Sequence, residues 1–304
     1  MNWIILAFLA PTFWALANYV DKFVIGKYLK SSTTGAGSLV VFTGLTASLI
    51  ALLIGIIHGD VFIISLKQTA AIAFAGALLV ASFIPYLKAL QNEDSSVVVP
   101  LFQLIPVFSY FLAFIFLGEQ LSAIQILAGI IVIVGSVGIS LDLDKKFSIK
   151  RKVFLLMGLS SLMIAVNSLI FKMVALNTNF WVTGFWEYVG AGIFALMLII
   201  CVKTYRKEFL SLVGENGLAV SSLNIGGEVL NLSAKLSVAF ATLSTPIALI
   251  WIINGLQPFI ILVLGIIINL TIPHLIKESA ERKHLVQRGV CSVIIFIGIY
   301  LLFI

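Results

Sequence analysis

Charged residues are scarce in this sequence. Asp, Glu, Lys and Arg together make up 11% of the chain, against roughly 25% in a typical soluble protein. Hydrophobic residues make up 61%, and the mean hydropathy is +1.16. A water-soluble fold of 304 residues could not hide this much apolar surface from solvent. The composition therefore predicts an integral membrane protein.

Residues that commonly bind metals or act in catalysis are also few. The two cysteines, Cys201 and Cys291, have neither a CxxC partner nor a neighbouring histidine, so they predict no metal site and no disulfide framework. The three histidines, His58, His274 and His284, fall in expected loops, and the chain has no HExxH motif and no Gly-rich phosphate loop. We expect no metal and no cofactor, and a membrane-embedded enzyme is the disfavoured alternative.

Long apolar stretches follow one another along the whole chain. Crossing the hydrocarbon core of a bilayer takes about 20 residues. We predict an all-α integral membrane protein with ten transmembrane helices, near residues 3–25, 35–57, 69–90, 96–117, 122–141, 153–176, 180–202, 217–240, 245–268 and 288–304. The first stretch is interpreted as a span rather than a cleavable signal peptide, because no Lys or Arg precedes it and no Ala-x-Ala site follows.

The basic residues lie mostly on one side of this arrangement. Counting each loop by the span that it follows, the odd loops hold all of the 19 Lys and Arg residues except Lys67, Lys172 and Lys235. The positive-inside rule then predicts odd loops in the cytoplasm and both termini outside, in the cytoplasmic (inner) membrane. The net charge of +6 is attributed to this bias and to anionic lipid headgroups, with no nucleic-acid partner.

Short motifs recur between the two halves of the chain at offsets of 146 to 150 residues. The matched pairs are DKFV 21–24 with FKMV 171–174, LKAL 87–90 with AKLS 234–237, and Pro100 with Pro246. We predict a first five-helix repeat at 1–144, a basic linker at 145–152 and a second five-helix repeat at 153–304. Because five is odd, the second repeat must enter the bilayer inverted, as in many secondary transporters.

The segment PLFQLIPVFSYFLAFIFLGEQL, residues 100–121, resembles the fourth-span signature of the EamA-type family in the drug/metabolite transporter superfamily. That signature has two prolines six residues apart and then Leu-Gly-Glu, here Pro100, Pro106, Leu117, Gly118 and Glu119. The following LAGIIVIVGSVGIS is similar to the family's fifth span. The resemblance implies an inverted-repeat transporter with both termini in the cytoplasm. The charge bias predicts the opposite orientation, and the sequence leaves orientation open.

The second half departs from the signature. Ile252 stands where the second proline would follow Pro246, Pro258 comes later, and Gly265 is not followed by Glu. A long connector, 269–288, replaces the short turn of the first half. This connector is long enough to form a mobile or surface-lying helix.

One polar line runs along the predicted eighth span. Its members are Ser221, Asn224, Glu228, Asn231 and Lys235, at helical spacing. A charged carboxylate at the bilayer centre costs roughly 2.5–3.5 kcal/mol on insertion scales, so this face is expected to be covered by other helices or by water. We predict that span 8 lines an interior cavity and that Glu228 is the candidate for proton coupling. The alternative is a hydrogen-bonded seam between helices that binds no ligand.

Other spans supply further candidates for a substrate-binding cavity. They are Trp14, Asn18, Lys22, Tyr86, Lys88, Gln103, Asn167, Lys172, Trp186, Glu187, Trp251 and Asn254. Spans 2, 5 and 10 carry mainly small and aliphatic residues and are predicted to be packing surfaces.

Charged residues near the ends of spans have two interpretations. Lys22 and Lys88 lie on one side of the membrane, and Lys172 and Lys235 lie on the other. A lysine near a helix end can complement the helix dipole and extend to the interface. The four lysines can also form a pair of cations at each mouth of a pathway, attracting an anion or pairing with a glutamate of span 7 or 8. We expect Glu119 to cap the start of span 5.

The leading hypothesis from the sequence is a secondary transporter for a small polar metabolite, such as an amino acid or an organic anion, working by alternating access. Coupling to protons and exchange both remain open. A flippase for a lipid-linked polar headgroup is a neighbouring alternative. The expected partners are the small-molecule substrate and membrane lipids, with the protein as a monomer or homodimer.

Overall fold

A computed structural model describes residues 3–28, 36–92, 98–140, 150–271 and 282–304, and every regular element in these ranges is helical. The α-helices are α1 (Trp3–Tyr28), α2 (Ala36–Ile57), α3 (Leu66–Leu90), α4 (Leu104–Leu117), α5 (Ala123–Ser140), α6 (Arg151–Asn177), α7 (Phe180–Cys201), α8 (Lys203–Thr242), α9 (Ile247–Ile253), α10 (Gln257–Thr271) and α11 (Arg282–Leu301). Short 3₁₀ helices cover Gly59–Phe62, Val99–Gln103 and Asn254–Leu256.

Seven helical segments within the described residues are long and apolar enough to cross a membrane. They are Trp3–Val20, Val40–Ile57, Leu66–Ala89, Val99–Leu117, Arg151–Asn177, Phe180–Cys201 and Ile247–Ile268, and two shorter apolar helices cover Ala123–Ile139 and Val286–Leu301. Large aliphatic side chains stand exposed on the outside, among them Ile56, Ile115 and Ile200. An apolar outer surface of this kind suits contact with lipid.

Helix α8 is longer than the sequence predicts. It runs for 40 residues from Lys203, about 60 Å at 1.5 Å per residue, so the expected loop between spans 7 and 8 is helical. Tyr205 and Phe209 lie four residues apart on one helix face, and Phe209 packs against a ring of α2. The backbone N–H of Gly37 donates to Glu208 Oε2 at 3.0 Å. This packing on α2 explains why the segment remains helical.

Two predicted spans contain breaks in their α-helical geometry. Span 4 begins as the 3₁₀ helix Val99–Gln103, which has a proline in its first turn, and continues as α4. Span 9 consists of α9, the 3₁₀ turn Asn254–Leu256 and α10. A 3₁₀ turn inside a longer helix changes its direction and loosens its hydrogen-bond ladder.

Helices α3 and α7 approach each other closely because glycine occupies the contact on both sides. A Cβ atom added at Gly76 would overlap the carbonyl oxygen of Glu187, and one added at Gly190 would overlap the carbonyl oxygen of Ala73. Small residues at such crossings let backbones meet, as is common between membrane helices. The crossing holds α7, and with it Glu187, directly against α3.

The principal contacts pair helices from the first half with helices from the second. α1 packs along α8, α2 along α7, α3 along α6 and α7, and α5 along α11. One apolar core lies among α1, α5, α8, α9 and α11, and another lies among α2, α3, α7 and α8.

Candidate functional site

A cavity lies where helices of the two halves meet. Its wall is mostly apolar and includes the candidates Trp14 (α1), Asn167 (α6), Lys235 (α8) and Trp251 (α9), together with Ser168. Its volume, measured by the positions open to the centre of a water molecule, is about 40 Å³. A single buried water needs roughly 10–15 Å³ by that measure, so this conformation has room for a few waters.

Two tryptophans form one wall of the cavity. The rings of Trp14 and Trp251 stack with centroids 5.6 Å apart and an interplanar angle of 16°. The Trp251 indole N–H donates to Ser168 Oγ at 3.2 Å, which satisfies its polar atom in an apolar setting. The stacked pair joins α1 of the first half to α9 of the second half.

A buried polar cluster adjoins the cavity through Asn167 and Lys235. Lys235 Nζ forms an ion pair with Glu187 Oε1 and donates to Asn167 Oδ1 at 2.9 Å. The amide N–H₂ of Asn167 donates to Glu187 Oε1 at 2.6 Å and to the carbonyl oxygen of Ala75 at 2.9 Å. We call Lys235 and Glu187 the cavity pair. Asn167 bridges its two members.

The sequence allowed Lys235 either to extend to the membrane interface or to pair with a glutamate, and the contacts of the cavity pair favour the second interpretation. Glu187 is 1% exposed, and the Lys235 side chain, which also lines the cavity, is 13% exposed. A lysine extended toward the membrane surface would bond to headgroups or water, whereas Lys235 bonds to two interior side chains. Its nitrogen also lies 5.9 Å from the ring centroid of Phe171, within reach of a cation–π contact.

A second buried ion pair lies away from the cavity. Lys172, 7% exposed, pairs with Glu119 Oε1 at 2.5 Å and donates to the carbonyl oxygen of Thr245 at 2.7 Å. Glu119 Oε2 accepts the backbone N–H of Ile247 at 2.8 Å. We call Lys172 and Glu119 the turn pair, because their backbone partners lie on either side of Pro246 in the turn between α8 and α9.

The expected role of Glu119 as the cap of span 5 is wrong in its location. Glu119 caps α9. The start of α5 is instead capped by Ser122, just before the helix, and by Gln125 in its first turn: Ser122 Oγ accepts the Gln125 N–H at 3.2 Å, and Gln125 Oε1 accepts the Ser122 N–H at 3.0 Å. Gly118 explains the difference, since its φ of 67° reverses the chain at the end of α4. The reversal lets the N–H of Glu119 donate to Ala113 O at 3.2 Å, and the carboxylate points toward the second half.

The polar line on α8 divides between two environments. Glu228, 8% exposed, accepts a hydrogen bond from Thr43 Oγ1 of α2 at 2.7 Å, so it lies in a seam between helices. Lys235, seven residues and about 10 Å further along the helix, lines the cavity. Asn231 is partly buried. The side chains of Ser221 and Asn224 fall outside the described part of the structure.

Several other candidates bond elsewhere. Trp186 donates to the carbonyl oxygen of Val61 at 2.8 Å, Gln103 donates to Ser136 Oγ at 2.9 Å, and Asn254 donates to Ile250 O at 2.9 Å. Tyr86 packs on Phe102, while Asn18 and Lys88 are exposed. The side chain of Lys22 lies outside the described residues. Pro100 and Pro106 are buried.

Helices α2 and α5, predicted to be packing surfaces rather than cavity walls, also form hydrogen bonds to their neighbours. Thr43 on α2 binds Glu228, and Ser136 on α5 accepts from Gln103. Ser168 and Phe171, which border the cavity, were not among the candidates. The position of Phe171, four residues after Asn167, could have indicated it, because residues i and i+4 share a helix face.

The long apolar helices with exposed aliphatic side chains are those of a multi-pass membrane protein. Residues 1–141 match the EamA-like transporter family, a family of the drug/metabolite transporter superfamily, which agrees with the resemblance seen in the sequence. Members of the family are transporters, and a membrane transporter is the class that the match supports.

A crystal structure described only as that of a protein has the same fold. It is 14% identical, superposes with a TM-score of 0.62, and the match covers 98% of this chain and 94% of that one. The likeness in fold therefore extends over both halves, whereas the family match covers the first. A comparison with curated proteins finds no match.

Proposed function

We propose that the protein is a secondary transporter that moves a small polar metabolite across the membrane by alternating access. The observation that carries the proposal is the cavity between the halves, which is lined by two stacked tryptophans and by the lysine of a buried Lys–Glu pair. Polar groups inside a membrane protein are costly and commonly mark a substrate pathway.

The pairing of helices supports a pair of inverted repeats. If the halves exchange, α1 corresponds to α6 and α3 to α8, so the α1–α8 contact becomes the α6–α3 contact. Both contacts are extensive. The α2–α7 and α5–α11 contacts map onto themselves under the same exchange, as expected for helices beside a two-fold axis. Alternating access then follows from motion of one repeat against the other around a fixed site.

We propose the cytoplasmic membrane as the location, with the odd loops inside. The support is the distribution of charge. Exposed basic residues gather where α6 begins, at Lys150, Arg151 and Lys152, and where α8 begins, at Lys203 and Lys207. Positive residues close to span ends favour the cytoplasmic side.

The test combines binding and flux. A thermal-shift screen of the purified protein against a metabolite library finds compounds that stabilise the folded state, and those compounds are then tested for flux into proteoliposomes. Trp251→Ala, which opens the cavity wall, is expected to lose flux. Trp181→Ala is the matched control, because this exposed tryptophan stacks on His58 away from the cavity. Equal flux in the two variants, or no flux for any stabilising compound, would overturn the proposal.

A further inference from the structure

Lys235 belongs both to the cavity wall and to the ion pair behind it. Its nitrogen is held by Glu187 and Asn167, and its side chain reaches the cavity that the proposed transport uses. Glu187 lies behind it and is almost completely buried. A ligand in the cavity therefore meets the cation first, and it can reach the carboxylate only by displacing Lys235.

A ligand that meets Lys235 before Glu187 is more favourably an anion than a cation. A carboxylate in the cavity would compete with Glu187 for the same ammonium group. An anion that took Lys235 without any other change would leave an uncompensated negative charge on Glu187. Leaving one member of a buried pair unpaired is strongly unfavourable, so the site must take up a positive charge at the same time.

We propose that the substrate is a small organic carboxylate and that it is carried together with a proton, which Glu187 accepts when the substrate carboxylate replaces it on Lys235. Before binding, the site holds Lys235 as ammonium and Glu187 as carboxylate. After binding, it holds the same ammonium, the substrate anion and a neutral Glu187 whose carboxyl oxygen carries one proton taken up from solution together with the substrate. The site is neutral in both states, and no other bond is made or broken.

Asn167 suits both states of Glu187. Its amide N–H₂ donates to the carboxylate now, while its Oδ1 accepts from Lys235. Once Lys235 turns to the substrate, that oxygen becomes available as an acceptor for the hydroxyl of a protonated Glu187. An amide can serve in this way because it carries both donors and an acceptor.

The other groups packed around Glu187 leave Lys235 as its counterion. Helix α6 presents the neutral Asn167, α3 presents the carbonyl of Ala75, and Tyr188 lies beside Glu187 on α7 itself. Helix α2 has no titratable residue in its sequence. The other titratable groups whose side chains are described on these elements lie elsewhere. Asp60, Lys67, Lys88, Arg151, Lys152, Lys203, Arg206 and Lys207 are exposed, Tyr86 packs on Phe102, and Tyr205 packs on the α2 core. Lys172 pairs with Glu119, Glu208 accepts from Gly37, and Glu228 accepts from Thr43.

The aromatic wall narrows the class of substrate. Trp14 and Trp251 present flat, apolar surface to the same cavity as Lys235. A carboxylate attached to a flat or short apolar group would place its charge at Lys235 and its apolar part against the indoles. The same groups offer no anion to match the ammonium of a free amine.

Proton uptake on binding tests this inference, which rests on the proposed function. The full-length protein in detergent is titrated calorimetrically with phenylacetate and pyruvate, and with phenylacetamide and pyruvamide as neutral analogues, in two buffers of different ionisation enthalpy. The difference between buffers gives the protons exchanged, because binding and protonation are linked. We expect the wild-type protein to take up about one proton per carboxylate bound and to bind the amides more weakly.

Three variants separate the roles of the residues. Lys235→Gln is expected to weaken carboxylate binding by about 30-fold or more, as loss of a buried charge partner does. Glu187→Gln is expected to bind the anion with no proton uptake, which a merely structural role would not predict. Glu228→Gln is the matched control and should behave as wild type. Thermal unfolding of each variant shows whether it is folded.

Carboxylate binding without proton uptake in wild type, unchanged uptake in Glu187→Gln, or no carboxylate binding at all would overturn the inference. Flux of a neutral metabolite through the cavity, with no role for protons, would overturn it and leave the proposed transport intact. Absence of flux for every stabilising compound would instead overturn the proposed function.

Discussion

Two buried Lys–Glu pairs of identical chemistry lie in this protein in different surroundings. In the turn pair, Lys172 and Glu119 also bond to backbone groups, the carbonyl of Thr245 and the N–H of Ile247. In the cavity pair, the third partner is the Asn167 side chain, and Lys235 lines the cavity.

The kind of hydrogen-bond partner, backbone or side chain, determines what each pair can do. Backbone partners cannot rotate away, so the turn pair fixes the turn after α4 to the turn before α9. Side-chain partners can be exchanged, and the space beside Lys235 lets water or a ligand replace them. Buried pairs contribute little net stability compared with apolar packing, and we interpret the turn pair as fixing geometry and the cavity pair as a site that changes partners.

The largest expected effect comes from removing one charge of each pair. Glu119→Gln should lower the free energy of unfolding by about 3 kcal/mol, because Lys172 is left buried without a counterion. Glu187→Gln should cost only about 1 kcal/mol, since cavity water can solvate Lys235. Unfolding of both variants in one detergent measures the difference.

The control for this prediction is the double variant Glu119→Gln with Lys172→Met, which removes both charges. It should recover part of the loss, because replacing a whole buried pair by neutral groups is often well tolerated. Equal destabilisation by the two single variants would show that the surroundings of the pairs do not differ in the way that we describe.

A smaller effect is expected at the glycine that positions Glu119. Gly118 has a φ of 67°, the only positive value among the described residues, and a residue with a Cβ is strained there by about 1–2 kcal/mol. Gly118→Ala should lower stability by that amount and displace Glu119 from the α9 N-terminus. Combined with Glu119→Gln, the two losses should add to less than their sum, as expected for residues acting on one contact. Full additivity would mean that the turn does not position the carboxylate.

Helical structure was largely predictable, because long apolar runs and Gly or Pro breaks determine where membrane helices begin and end. The helical start of α8 was not. Its charged residues indicated a loop, and only the packing of Tyr205 and Phe209 on α2 explains the helix. Tertiary contacts of this kind leave no signal in local composition.

The cavity was predictable only in part. Trp14, Asn167, Lys235 and Trp251 were proposed from their polarity or size within apolar spans, and the structure brings them together. Which lysine pairs with which glutamate could not be predicted, because Lys235 and Glu187 lie on different helices and periodicity specifies a face but not its neighbour. Glu228 looked equivalent to Glu187 for the same reason.

The smallest expected effect compares Lys235 with Lys88, its counterpart in the proposed first repeat. Lys88 is exposed near the end of α3, so Lys88→Gln should change stability by no more than about 0.5 kcal/mol and leave carboxylate binding unchanged, whereas Lys235→Gln should weaken binding by about 30-fold or more. Titration of both variants with phenylacetate measures the contrast. If Lys88→Gln weakened binding as much as Lys235→Gln, both lysines would have to reach the substrate, and the first half would contribute a cation to the pathway. The burial of Lys235 and the exposure of Lys88 would then be properties of this one conformation, since alternating access would exchange the surroundings of the two lysines.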